Sequence, residues 1–255
     1  SDIDPETFGS SAEKIKHKIS SNTKLIVAQH SFGIPCRIDN IVELAQKKGI
    51  FLLEDCALTF SSSFNGINVG NFGDAALFST DHSKPINTIL GGLIYSRDNN
   101  LINKLRMGID ESACLSLSKK KAIWKRFVFE KIFFVPSKYG MKNIFEPLFN
   151  LQLKILKYPS PFLNEEFGSK IVNTKYNYPS KLPPFLAAIG LIELERWDFS
   201  AIERKARLSY FLDQIRQQKL YGYLPKSYKE EMFNIIPLRI ALVLPNGSKI
   251  RKKLN

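Results

Sequence analysis

The sequence predicts an α/β fold built on a mainly parallel sheet flanked by helices, and three observations predict it. First, "KLIVAQ" (Lys24 to Gln29) and "IFLLED" (Ile50 to Asp55) are short, nearly continuous apolar runs of the kind that form strands buried on both faces. Second, "IDNIVELAQKKG" between them sets Ile38, Ile41, Val42, Leu44 and Ala45 at helical spacing. Third, "AALFS" (Ala75 to Ser79) and "GGLIYS" (Gly91 to Ser96) supply two more strand-like runs. Strand, helix, strand in this order implies a right-handed parallel crossover.

Each element has its own local reason. In the helix after Lys24–Gln29, Asp39 is the expected N-cap and Gly49 the expected C-terminal stop. "NGINVGNFGD" (Asn65 to Asp74) is punctuated by glycine and reads as loop. "DNNLINKLR" opens a helix after the fourth strand. From Lys119 the composition changes. "KKKAIWKRFVFEKIFFV" is basic and aromatic, with Trp124, Phe127, Val128 and Ile132 on one helical face. "IFEPLFNLQLKIL" adds a second apolar helical stretch, and "KYPSPFLNEEFGSK" reads as linker. "PPFLAAIGLIELERW" and "SAIERKARLSYFLDQIRQQ" are two further helices, and "NIIPLRIALVL" reads as a strand of a new lobe. The expected organisation is a central α/β domain over 1–110, a basic aromatic helical insertion and linker over 111–175, connecting helices over 176–232, and the start of a small C-terminal domain over 233–255.

Composition narrows the function. At 255 residues and 44% hydrophobic content, the chain can bury one substantial core. Charges interrupt every apolar run before it reaches the length of a membrane span. Three cysteines without metal-like pairing fit a reducing, cytoplasmic setting, and the three histidines lack ligand spacing, so no metal is expected. The net charge of +13 points to anionic partners. Between Lys119 and Lys157 only Glu130 and Glu146 are acidic, so the basic character is concentrated there. That segment has two readings: an amphipathic helix pair packed over an active-site mouth, or an interfacial helix touching the inner membrane surface. Nucleic acid is not expected as a partner, because no recognised binding motif accompanies the charge.

The chemistry gathers around Asp55, Ser79, His82 and Lys84. Ligands of open α/β sheets bind beyond the carboxyl ends of the strands. Asp55 closes one strand, Ser79 closes another, and His82 and Lys84 follow directly. A carboxylate, a hydroxyl and a lysine in one crevice suit a cofactor with a basic ring nitrogen, a phosphate and an aldehyde, which describes pyridoxal 5′-phosphate (PLP).

These stretches also resemble a known family. "EDCA", then "NGINVGNFGDAALFS", a lysine and "GG" are similar to the DegT/DnrJ/EryC1/StrS sugar aminotransferases, as are "DIDPETF", "VAQHSFGIPCRID" and "LAAIGLIELERWD". Ser79 and Lys84 stand 24 and 29 residues after Asp55, the family's spacing. The resemblance implies the large domain of a fold-type-I PLP enzyme, truncated at both ends. It implies amino transfer, with glutamate as donor, to a keto group of a nucleotide-linked sugar in polysaccharide, lipopolysaccharide or antibiotic-sugar synthesis, by a homodimer. Lys84 would carry the cofactor as a Schiff base and move the substrate proton. Asp55 would hold the ring nitrogen and Ser79 the phosphate. Gly91 and Gly92 would let the backbone pass close to the cofactor, with His82 and Asn177 as further contacts. Members with histidine in place of that lysine perform dehydration instead. Leu58 and Leu90 stand where the family often has Gln or His and an acid. The rival expectation is a non-catalytic, basic membrane- or partner-binding relative.

Overall fold

A computed structural model describes residues 1–133, 135–138 and 180–245, together with positions 141, 148, 151, 155 and 247. Asn177 and the stretch expected as linker lie outside the described residues, as does most of the second apolar helical stretch.

Helix α1 (Ala12–Lys16) precedes strand β1 (Leu25–Gln29), helix α2 (Ile38–Lys48) and strand β2 (Phe51–Asp55). The two strands pair in parallel, from Leu25 beside Phe51 to Gln29 beside Asp55. Their crossover helix α2 buries Ile38, Ile41 and Ala45. Ile38 and Ile41 are fully buried, and each contributes about 1.5–3 kcal/mol of transfer free energy. Gly49 ends α2 at φ 61, as its position predicts. Asp39 is not the cap: Arg37 occupies that position without a side-chain bond. Asp39 lies inside the first turn, where its charge still complements the helix dipole.

Strand β3 (Ser63–Phe64) forms a hairpin with β4 (Ile67–Asn68), which lies inside the stretch read as loop. Asn65 (φ 49) and Gly66 (φ 78) make its turn, the two-residue Asn-Gly signal of a tight hairpin. Strand β5 (Ala75–Ser79) lies parallel to β2, and β6 (Gly92–Tyr95) returns antiparallel to β5. The sheet order is β1-β2-β5-β6. Helix α3 (Asn99–Glu111) follows, with the Asp98 carboxylate accepting from the Asn100 N–H. Then come β7 (Ala113–Cys114), α4 (Leu117–Phe133), β8 (Ser180–Lys181), α5 (Pro184–Glu195), α6 (Trp197–Gln217) and β9 (Phe233–Asn234).

Two further expectations change. The strand expected over 234–244 exists only as β9, which pairs antiparallel with β3. Phe233 and Ile235 pack into the same core as Ile26, Ile38 and Leu52. On α4, the buried side carries Ile123 and, partly, Phe127, while Trp124, Val128 and Ile132 face outward. The core under α4 is made by Leu115 and Leu186, and Ile123 reaches it.

The two faces of the sheet differ. Strand alternation sends Ile26, Ala28, Leu52, Glu54 and Ala76 to the buried face. Leu25, Val27, Phe51 and Ile94 point the other way and are 39–51% exposed. Asp55, Leu77 and Ser79 share that open face, because Asp55 pairs with Leu77 and Ser79 lies two residues on.

Candidate active site

Adjacent acids on β2 have separate tasks. Glu54 is fully buried, and four donors converge on it. Its Oε1 accepts from the Phe72 and Gly73 N–H groups, both at 2.7 Å. Its Oε2 accepts from the Gly70 N–H at 2.8 Å and faces His30 Nε2 at 3.2 Å. His30 Nδ1 accepts from the Cys36 N–H at 3.0 Å, which leaves the proton on Nε2 to donate to Glu54. Burial alone would raise the Glu54 pKa. The His30 bond and the Gly73 and Gly70 N–H groups outweigh it and hold the carboxyl below its ordinary value. The glycine-rich loop 70–73 is thus tied to the sheet by one carboxylate. The ligand atoms of His30, Glu54 and Cys56 lie within 4.8 Å of one another. Both ring nitrogens and both carboxylate oxygens already serve these bonds, so the cluster acts as a buried hydrogen-bond network.

Asp55 points to the opposite face, at the carboxyl end of β2. Its Oδ1 accepts from the Ala57 N–H at 3.0 Å, which turns the chain out of the strand. Ser79 ends β5 and pairs with Gly92. Asp55 and Ser79 therefore reach the same edge and face of the sheet from neighbouring strands. Ser79, Gly91 and Gly92 also line a groove of about 850 Å³ between β6 and α3, in which Asn99 and Arg106 take part.

Lys84 sits on the connection from β5 to β6, and two apolar anchors fix the return leg that follows it. Ile86 packs with Trp197 and Ile236, while Ile89 packs with Leu115, Ile123 and Leu186. The Thr80 and Thr88 hydroxyls meet at 2.7 Å, and the Thr80 N–H donates to the Gly91 carbonyl. Ile89 has φ 70, a left-handed conformation that costs a β-branched residue about 1–2 kcal/mol. The Lys84 N–H donates to the Asp81 carbonyl, and Lys84 is half-buried. Asp81 accepts from both the Ser83 N–H and hydroxyl, at 2.7 and 2.9 Å. Burial opposes its charge, but the Ser83 bonds and the nearby His82 and Lys84 charges lower its pKa overall. His82 Nδ1 lies 3.5 Å from Asp81 Oδ1.

Gly91 (φ 147) has room for no side chain: a Cβ there would lie 2.9 Å from both Leu182 Cδ1 and Thr80 Oγ1. A Cβ on Gly92 would lie 2.8 Å from the Phe78 carbonyl. The chain's own packing therefore demands both glycines. The sequence reading missed Glu54 as the organiser of the loop and Asp81 as the acid beside Lys84. The signals were the first acid of "EDCA" and the Asp-x-Ser spacing of an Asx turn.

The sequence pattern of the DegT/DnrJ/EryC1/StrS aminotransferase family matches residues 1–254. The chain belongs to this family. It is 41% identical over 103 residues to the GDP-perosamine synthase of Escherichia coli O157:H7, a match covering 40% of this chain and 28% of that protein. It is 31% identical over 115 residues to the L-glutamine:2-deoxy-scyllo-inosose aminotransferase of Streptomyces fradiae, covering 45% and 27%. An aminotransferase from Psychrobacter cryohalolentis superposes with a TM-score of 0.65 at 20% identity, over 95% of this chain and 52% of that one. The E. coli GDP-4-keto-6-deoxy-D-mannose-3-dehydratase, solved with bound hydrated PLP, gives 0.63 at 20% identity over 99% and 55%. The chain thus spans about half the length of these solved structures, and the matched stretches are under a third of the curated relatives. The structural likeness is one of fold, and that fold serves a transaminase and a dehydratase alike.

Proposed function

We propose that this chain forms part of a PLP-dependent aminotransferase acting on a keto group of a nucleotide-linked sugar, with glutamate as amino donor. One observation carries the reading. Asp55 and Ser79 reach the same face at the carboxyl ends of neighbouring parallel strands, and Lys84 stands on the strained, doubly anchored connection that leaves Ser79. Strain retained beside such an edge marks a position held for chemistry.

The residues present fit the cofactor by their donor chemistry. Asp55 supplies a carboxylate for a protonated ring nitrogen, Ser79 a hydroxyl for a phosphate oxygen, and Lys84 an amine for an aldehyde. Bound there, PLP supplies an electron-accepting ring and a carbonyl carbon that exchanges amines. The chain's own contribution is positional. Asp55 keeps a proton at the ring nitrogen, and Lys84, once its amine is released, moves the proton at the substrate carbon. Asp81 lies beside Lys84 and holds a negative charge near that amine. Gly91 and Gly92 set the close return of the backbone, with His82 on the same connection, and Asn177 is a further proposed contact. Lysine rather than histidine at position 84 favours amino transfer over dehydration within this family. A homodimer, with both subunits contributing to each site, completes the proposal.

The test is reductive trapping. The full protein is incubated with PLP, reduced with borohydride and digested. The expected result is one pyridoxyl adduct, on Lys84, that is lost in Lys84→Ala, whose melting curve shows it is folded. Adducts scattered over surface lysines, or an unchanged adduct in the variant, would refute the assignment.

A further inference from the structure

Helix α4 carries an apolar stripe that the described residues leave partly exposed, with Trp124 resting on Phe127 and edge-on against Phe185 at one margin. Its inner side is fixed by Ile123, 4% exposed, and by the partly buried Phe127. On another side, Leu117, Trp124, Val128 and Ile132 are 68, 50, 39 and 45% exposed. They recur at intervals of seven, four and four residues, which keeps all four on one line of a helix with 3.6 residues per turn. The line runs for roughly 22 Å, at 1.5 Å per residue. Exposed Lys125 and Lys131 border it, and exposed Lys121 stands within it between Leu117 and Lys125. The one acid of the helix, Glu130, is buried and engaged by Arg126. The outward side is therefore both apolar and cationic.

We propose that α4 lies in the plane of an anionic lipid surface, with Trp124, Val128 and Ile132 entering the boundary between headgroups and acyl chains. Lysine stems beside such a stripe stay in contact with apolar surface while their ammonium groups reach lipid phosphates. An indole at the edge of the stripe suits the same boundary. Among the described residues no helix is long and apolar enough to cross a membrane, so the helix lies on the surface. A second copy of the chain is a poorer occupant, because two such stripes meeting face to face would set lysine against lysine. A nucleic acid would use the lysines and leave the apolar line in water. The inference is independent of the catalytic reading: it concerns a different face and holds whether or not Lys84 carries a cofactor.

Intrinsic fluorescence provides a direct readout, because the chain has two tryptophans and Trp197 is only 6% exposed. The full protein is titrated with vesicles of phosphatidylcholine alone, or of phosphatidylcholine mixed with phosphatidylglycerol, and sedimented. The mixed vesicles should bind it and shift Trp124 emission to the blue, and added salt should weaken both effects. Neutral vesicles should bind it far less. Val128→Asp with Ile132→Asp should weaken binding at least about tenfold. Lys121→Glu with Lys131→Glu should weaken it by about 25-fold or more, at roughly fivefold per lysine. Thermal melting should show all variants folded. Failure to bind the mixed vesicles would overturn the proposal. So would binding that neither folded variant reduces, or self-association abolished by the aspartates.

Discussion

Replacing Glu54 with glutamine keeps the side chain's size and converts one carboxylate oxygen into a donor. The structure offers that donor no acceptable orientation. Toward Oε1 it would face the Phe72 and Gly73 N–H groups, and toward Oε2 the Gly70 N–H and His30 Nε2. Either way, two hydrogen bonds to a charged acceptor are lost inside a fully buried site. At about 1.5–3 kcal/mol for each such bond, the cost is about 3–6 kcal/mol. A domain of this size is stable by only about 5–15 kcal/mol, so the loss is a large fraction of the whole. At about 2–4 °C per kcal/mol, the melting temperature should fall by roughly 6–24 °C. Urea titration and thermal melting, followed by circular dichroism at neutral pH, measure it directly. The pH dependence gives a second check. The Glu54 pKa is lowered in the folded state, so its contribution is complete above the ordinary value of 4.5 and fades as pH falls through the lowered folded value. The gap between wild type and Glu54→Gln should therefore be widest above that pH and narrow in acid. A variant within 1 kcal/mol of wild type at neutral pH would refute the reasoning.

Three other outcomes follow from particular residues. Gly49→Ala should cost about 1–2 kcal/mol in urea titration, since φ 61 strains an L-residue while no atom lies within 4 Å of the added Cβ. Gly91→Ala should cost more, because a Cβ there would also crowd Leu182 and Thr80, and it should loosen the connection that carries Lys84. A thiol reagent should find one fast cysteine, Cys114, because Cys36 and Cys56 are buried and burial raises the Cys56 thiol pKa; three fast thiols would contradict the packing.

The elements whose causes are local were legible before any packing was known. The apolar runs made β1, β2 and β5, the helical spacing from Ile38 to Ala45 made α2, and Gly49 ended it. The order of Asp55, Ser79 and Lys84, each at or just past a strand's carboxyl end, was also legible, because strand ends follow from where the apolar runs stop. Tertiary structure decided which way those residues face. Glu54 and Asp55 are neighbours in the chain, and strand alternation sends them to opposite sides. Which of them becomes the buried anchor depends on the face that α2 covers, a contact no local pattern encodes. The same holds for α4: its sequence is apolar on several sides, and only packing against Leu115 and Leu186 chose Ile123 as the inner residue and left Trp124 outside. β9 pairs with β3 because Phe233 finds Phe64 across the hairpin, a partnership between residues far apart in the chain. Local propensity fixes what each segment becomes, and burial, shared among distant segments, fixes which side of it is used.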